Sequence, residues 1–187
     1  MDDGEIIGLF LGRSEQAISE LSKKYGGICL KLSRNILNNP LDAEGCVNDA
    51  YLSVWNSVPP EKPNPLLPYV CRIVRNLSIK KYHSNTAKKR SSRYDVALEE
   101  LENCLADSTG VEDSCAAREL TSSIDRFLRT LKKDDRIMFV RRYWFSDSLP
   151  EITELFHISE HNASVRLFRI RKKLRRYLEK EGLFHEP

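Results

Sequence analysis

The chain has 187 residues, 41% of them hydrophobic and 9% aromatic, and 30 Lys+Arg against 27 Asp+Glu give a formal charge of only +3. That is too apolar for a disordered chain, while no apolar run approaches the roughly 20 residues that cross a bilayer. Residues 1–12 lack the basic start and small-residue cleavage site of a secretory signal, so a cytoplasmic protein without membrane insertion is expected.

Helical periodicity dominates, and no segment alternates as a strand does. A first helix is expected over Glu15–Tyr25, with Ile18, Leu21 and Tyr25 on one side, interrupted at Gly26-Gly27. Helix resumes over Ile28–Leu37 until Asn38-Asn39-Pro40 stops it. The next starts near Asp42, an acceptable N-cap, and carries Val47, Ala50, Tyr51, Val54 and Trp55. Five prolines between Pro59 and Pro68 stiffen the following loop and forbid helix there. Helix is expected again from Tyr69, with Val70, Ile73, Val74 and Leu77 on one face.

Asp95 to Ala116, with Asp107-Ser108-Thr109-Gly110 inside it, has little periodicity and reads as a linker. Ile124, Phe127, Leu128 and Leu131 then mark one helix, and Ile137, Val140, Arg141 and Trp144 the next. Ser148-Leu149-Pro150-Glu151 is an S-x-x-E capping box with proline in the first turn, opening a short helix to about Phe156. Ser159 caps a final long helix to about Lys180. Five cysteines (Cys29, Cys46, Cys71, Cys104 and Cys115) form no C-x-x-C pair, so no disulfide framework is expected, and Cys46 and Cys71 read as small core residues.

The small net charge hides segregation. Arg72 to Arg93 carries eight bases (Lys88, Lys89 and Arg90 among them) and no acid, Asp95 to Glu119 eight acids and one base, and Arg166 to Arg176 seven bases and no acid. Two basic blocks around an acidic one suggest two modules that touch a polyanion, joined by a segment that does not.

The last two helices, with the tight His157-Ile158-Ser159 turn between them, have a helix-turn-helix pattern. At 100° per residue, Ala163, Leu167, Ile170, Leu174 and Leu178 form the buried stripe of the second helix. His161, Val165, Phe168, Arg169, Lys172 and Arg176 lie opposite. Arginine can fork onto guanine in the major groove, and an apolar group can touch the thymine methyl. Val165 and Phe168 beside Arg169 therefore read as base contacts, with docking on a protein surface as the alternative. Arg166, Lys173 and Arg175 on the flanks suit phosphates. His157-Ile158-Ser159-Glu160-His161 also spells H-x-x-E-H, a zinc-protease pattern, but that needs one continuous helix where a cap and a turn stand. With no Gly-rich phosphate loop, triad or paired catalytic carboxylates, no enzyme, cofactor or metal is expected.

Three segments carry a resemblance. Asp42-Ala43-Glu44-Gly45-Cys46-Val47-Asn48-Asp49-Ala50-Tyr51-Leu52 with Trp55 resembles D-A-E-D-L-V-Q-E-x-F-L-x-x-W, and Tyr69-Val70-Cys71-Arg72-Ile73-Val74-Arg75-Asn76 resembles W-L-Y-R-I-A-R-N. Ile158 to Arg175 resembles I-S-E-G-T-V-K-S-R-L-x-R-A-R-K-K-L-R. These motifs, in this order, resemble those of bacterial RNA polymerase sigma factors of the extracytoplasmic-function group in the sigma-70 family.

The resemblance implies an all-α protein of two helical domains. Residues 1–92 would bind core polymerase and the −10 element, 93–119 would be an acidic linker, and 120–187 a helix-turn-helix domain on the −35 element. Asp42, Glu44, Asn48, Asp49 and Trp55 would face the polymerase clamp. Asn64 in the proline loop and Tyr69, Arg72, Arg75, Asn76 and Lys80, with His83 further along the same basic face, would face the −10 element. His161, Ser164, Val165, Arg166, Phe168, Arg169 and Lys172 would face the −35 element.

The implied partners are core RNA polymerase, promoter DNA and an anti-sigma factor. The linker would either thread toward the RNA exit path or act as a solvated tether; its composition fits both. Tyr69 stands where the family has tryptophan, and Gly45 and Asn48 where it has Asp and Gln. Asn162 to Val165 replace T-V-K-S, so base preference does not transfer with the fold. The other class of function open to the chain is a stand-alone helix-turn-helix regulator, which has no reason to carry the Asp42–Trp55 helix.

Overall fold

The computed structural model describes residues 1–85, 93–105 and 114–183, and all regular structure among them is helical. The chain divides into two compact units, Met1–Tyr94 and Asp95–Pro187. No helix among the described residues is long and apolar enough to cross a membrane.

The first unit opens with a helix that precedes the expected start at Glu15. Helix α1 (Asp3–Leu11) holds two glycines, which lower its propensity, but a capping box between Asp2 and Glu5 opens it and Ile6 and Phe10 are fully buried. Asp3 ties it to the next helix, accepting from Lys24 and the Tyr25 hydroxyl at 2.7 and 2.6 Å. Those two donors hold the Asp3 carboxyl below its ordinary range.

Helix α2 (Gln16–Leu37) runs unbroken through Gly26-Gly27, against the expected interruption. A Cβ on Gly26 would sit 3.2 Å from the Tyr51 hydroxyl and 3.3 Å from Ser22 Oγ, so Gly26 is where the next helix comes close. The expected stop at Asn38-Asn39-Pro40 is a corner between two helices. Asn38 ends α2 in the left-handed region at φ 51°, and Asn39 caps α3 (Pro40–Ser57) with its side chain on the Leu41 and Asp42 amides. Asn39 thus replaces Asp42 as the cap, with Pro40 in the first turn.

Helix α4 (Leu66–Ser84) starts three residues before Tyr69, because Pro68 falls in its first turn, where no amide is needed. Helices α2, α3 and α4 pack on one another around Leu21, Leu32, Ile36, Ala43, Val47, Ala50, Val54, Leu66, Val70 and Val74. A hydroxyl pair, Ser33 and Ser78 at 2.8 Å, satisfies both groups inside that core. Cys29, Cys46 and Cys71 are buried free thiols. A hydrogen bond to Cys71, reinforced by burial, pushes the Cys29 thiol far above its ordinary range.

Helix α5 (Arg93–Leu105) lies within the segment read as an acidic linker, where little periodicity is expected. Ala97 joins the second unit's core and Leu101 packs against it. Their i, i+4 spacing is helical, but interleaved acids mask it in the sequence. Residues 106–113, including Asp107-Ser108-Thr109-Gly110, lie outside the described residues, as do Lys88, Lys89 and Arg90. Helix α6 (Ser114–Thr130) likewise begins inside the expected linker. With α7 (Lys133–Tyr143), α8 (Leu149–Phe156) and α9 (Glu160–Lys180) it surrounds Phe127, Met138, Phe139, Ile152, Leu167, Ile170 and Leu174.

Candidate nucleic-acid interface

The turn before α8 is built as the S-x-x-E pattern predicts: the Ser148 amide donates to Glu151 at 2.9 Å and the Glu151 amide to Ser148 Oγ at 3.5 Å. His157 ends α8 in the left-handed region at φ 51°. Ser159 then caps α9 by accepting from the Asn162 amide at 3.3 Å. His157 therefore lies just past the end of α8 while His161 lies in α9, and the H-x-x-E-H spelling makes no shared helical face. Ile158 packs against the core and fixes the corner.

Helix α9 buries Ala163, Leu167, Ile170, Leu174 and Leu178, the stripe expected from the wheel. Its outer side exposes His161, Ser164, Arg169, Lys172 and Phe168, the last at 57%, with Val165 half-buried. A large aromatic ring in water beside a guanidinium can meet base edges and methyl groups. Arg166 departs from the sequence reading. It donates from Nε and Nη2 to Asp135 Oδ1 of α7 at 3.1 and 2.6 Å, so it is engaged within the unit instead of standing open to phosphate. Arg175 donates to Glu179 at 3.0 Å one turn along.

In the first unit, Tyr69, Arg72, Asn76, Lys80 and His83 share a stripe of α4 about 80° wide. Val70, Cys71, Val74 and Ser78 are buried on the other side. The Arg72 guanidinium lies 5.5 Å over the Tyr69 ring, and the Tyr69 hydroxyl shares a 2.7 Å hydrogen bond with Ser57. Burial pushes the Tyr69 hydroxyl above its ordinary pKa. Asn64 is exposed in the loop before the helix. Arg75 stands apart, about 60° round the helix from Arg72, half-buried over the Tyr94 ring at 5.6 Å. That burial lowers its pKa.

The residues expected to face a polymerase divide. Asn48 and Asp49 are exposed on α3. Asp42 accepts from Asn85 at 2.9 Å and pairs with Lys81 at 3.4 Å, while Glu44 pairs with Arg34 at 3.4 Å. Trp55 is half-buried, its ring edge-on to Phe10 at 6.2 Å and under the Arg13 guanidinium at 5.4 Å, which anchors α1. Sequence reasoning missed Leu41 and Leu52, exposed at 78% and 56%. Eleven residues apart, they share the outer face of α3 with Asn48. The signal was present: both leucines fall outside the stripe of Ala43, Val47, Ala50 and Val54.

Residues 21–88 match the family model described as Sigma-70 region 2, and residues 121–174 that described as Sigma-70, region 4. Together these spans take in about two thirds of the chain. No curated protein matches the sequence. Among solved structures the chain is similar to CnrH, determined in complex with the cytosolic domain of CnrY. The identity is 18% over 95% of this chain and 97% of that one, with a TM-score of 0.45.

Proposed function

The chain belongs to the sigma-70 family, and on that premise we propose that it is a transcription initiation factor of the extracytoplasmic-function group. It acts by binding, without catalysis of its own. The first unit docks on core RNA polymerase through the outer face of α3, and the exposed stripe of α4 meets the −10 element. The second unit reads the −35 element through α9.

What carries the reading is one chain holding both a duplex-reading helix with Phe168, Arg169 and Lys172 outward and a second helix, α3, with an unneeded exposed stripe. Leu41 and Leu52, with Asn48 between them, supply the apolar contact area that a stable protein interface needs at its centre. Asp49 beside them adds a charge for a basic surface. Asp42 and Glu44 serve mainly to hold α3 within its unit. On α4, Tyr69 and Arg72 offer the pairing of ring and cation that holds unstacked bases.

The test is reconstitution with core polymerase on promoter templates. The wild-type chain directs transcription from specific start sites, Leu52→Asp weakens polymerase association about tenfold or more, and Arg169→Ala weakens discrimination at −35. Tight promoter binding by the chain alone, with no effect on polymerase, would instead identify a stand-alone helix-turn-helix regulator.

A further inference from the structure

Two arginines in the basic block of α9 are directed at carboxylates from other helices. Measured from the centre of the buried stripe, Arg166 lies about 80° to one side and Arg171 about 60° to the other. Arg166 is gripped by Asp135 of α7. Arg171 meets Glu100 of α5 at 3.4 Å and bonds the Tyr143 hydroxyl, which itself donates to Glu100 at 3.1 Å. Arg142, only 4% exposed, forks onto both Glu100 oxygens and sends its remaining nitrogen to the Asp147 carbonyl at 2.8 Å. One carboxylate thus gathers two arginines and a tyrosine beneath α5. Glu100 lies between the two family-matched spans, in the segment whose acidity alone suggests a tether.

We propose that Glu100 is a positioning residue for promoter recognition: with Asp135 on the opposite flank, it sets the roll and axial register of α9. The proposal rests on α9 being the −35 reader. A stripe of Ala, Leu and Ile decides which side of a helix is inward, but apolar contact has no preferred direction and tolerates rocking. Charge-assisted hydrogen bonds fix both length and angle. Two of them, one on each flank of the stripe, clamp the helix against rotation either way. Base readout by Phe168, Arg169 and Lys172 needs placement within about 0.5 Å and 10–20°. Both acids come from outside the helix-turn-helix itself, and Glu100 lies outside the family-matched span as well.

The experiment uses the full-length chain in reconstituted holoenzyme, transcribing a template library randomised at −35 and, separately, at −10. In Glu100→Gln and Arg171→Met the spread of output between best and median −35 sequences narrows about tenfold, comparable to losing one well-placed base contact. The −10 preferences stay as in wild type. A merely structural role lowers output by one factor for every −35 sequence and leaves the spread intact. An unchanged spread in either folded variant overturns the proposal. Should Glu100→Gln not fold, Arg171→Met decides, because it retains the Glu100–Arg142 pair. A wild-type holoenzyme with no −35 preference overturns the function proposed above, and the role of Glu100 with it.

Discussion

Gly26 and Gly27 are neighbours in one helix with opposite surroundings. Gly27 has open space where a Cβ would go, whereas Gly26 has the Tyr51 hydroxyl at 3.2 Å. Alanine in a helix interior is better than glycine by about 1 kcal/mol. Gly27→Ala is therefore expected to raise stability by about that amount in denaturant unfolding. Gly26→Ala gains less or loses, because the buried Tyr51 ring must yield. Tyr143 makes a second prediction. Burial pushes its hydroxyl from 10.0 up to about 12. Above pH 10 the unfolded chain sheds that proton while the folded chain keeps it, so stability falls as pH rises from 10 toward 12. Tyr143→Phe removes this contribution, and its stability curve over that range is flatter than wild type.

At the scale of elements, helix ends carry much of the architecture. The Ser148–Glu151 box starts α8 and Ser159 starts α9, so the helix-turn-helix corner is held by two caps and a left-handed His157. Ser148→Ala is expected to cost about 1 kcal/mol, the usual worth of such a cap, seen as a lower unfolding midpoint of the second unit. These caps were legible because a box is a local pattern of four residues. Helix α1 was not, since its two glycines argue against helix and only burial of Ile6 and Phe10 overrides them. The continuity of α2 was hidden for the same reason: Gly26 answers to Tyr51, 25 positions away in sequence. The engagement of Arg166 with Asp135 is likewise a long-range pairing that no wheel of α9 alone reveals.

Across the whole molecule, the near-zero net charge is a sum over blocks with different duties. Arg72 and Lys80 on α4 and the outer face of α9 are exposed, while Arg142, Arg166 and Arg171 are engaged by acids of their own unit. Counting bases along the sequence therefore overstates the charge presented to DNA. Promoter binding by the holoenzyme should weaken as salt rises. Lys173→Ala, exposed on the flank of α9, should reduce the slope of log affinity against log salt by about one, the loss of a single phosphate contact. A slope unchanged by that substitution would show that Lys173 does not neutralise phosphate. The all-helical class and the buried stripe of α9 could be read from periodicity. The division of arginines between clamp and contact needed the fold.

Asn38 and Asn39 form a corner with no slack: one asparagine terminates α2 and the next initiates α3, and Pro40 already belongs to the second helix. Every residue there has a geometric duty. A single inserted residue would separate a cap from the amides it serves and turn α3 by about 100° relative to its packing surface. Substitutions can be absorbed at such a corner, but changes in length cannot. Among related chains, this junction should vary in letters while keeping its spacing.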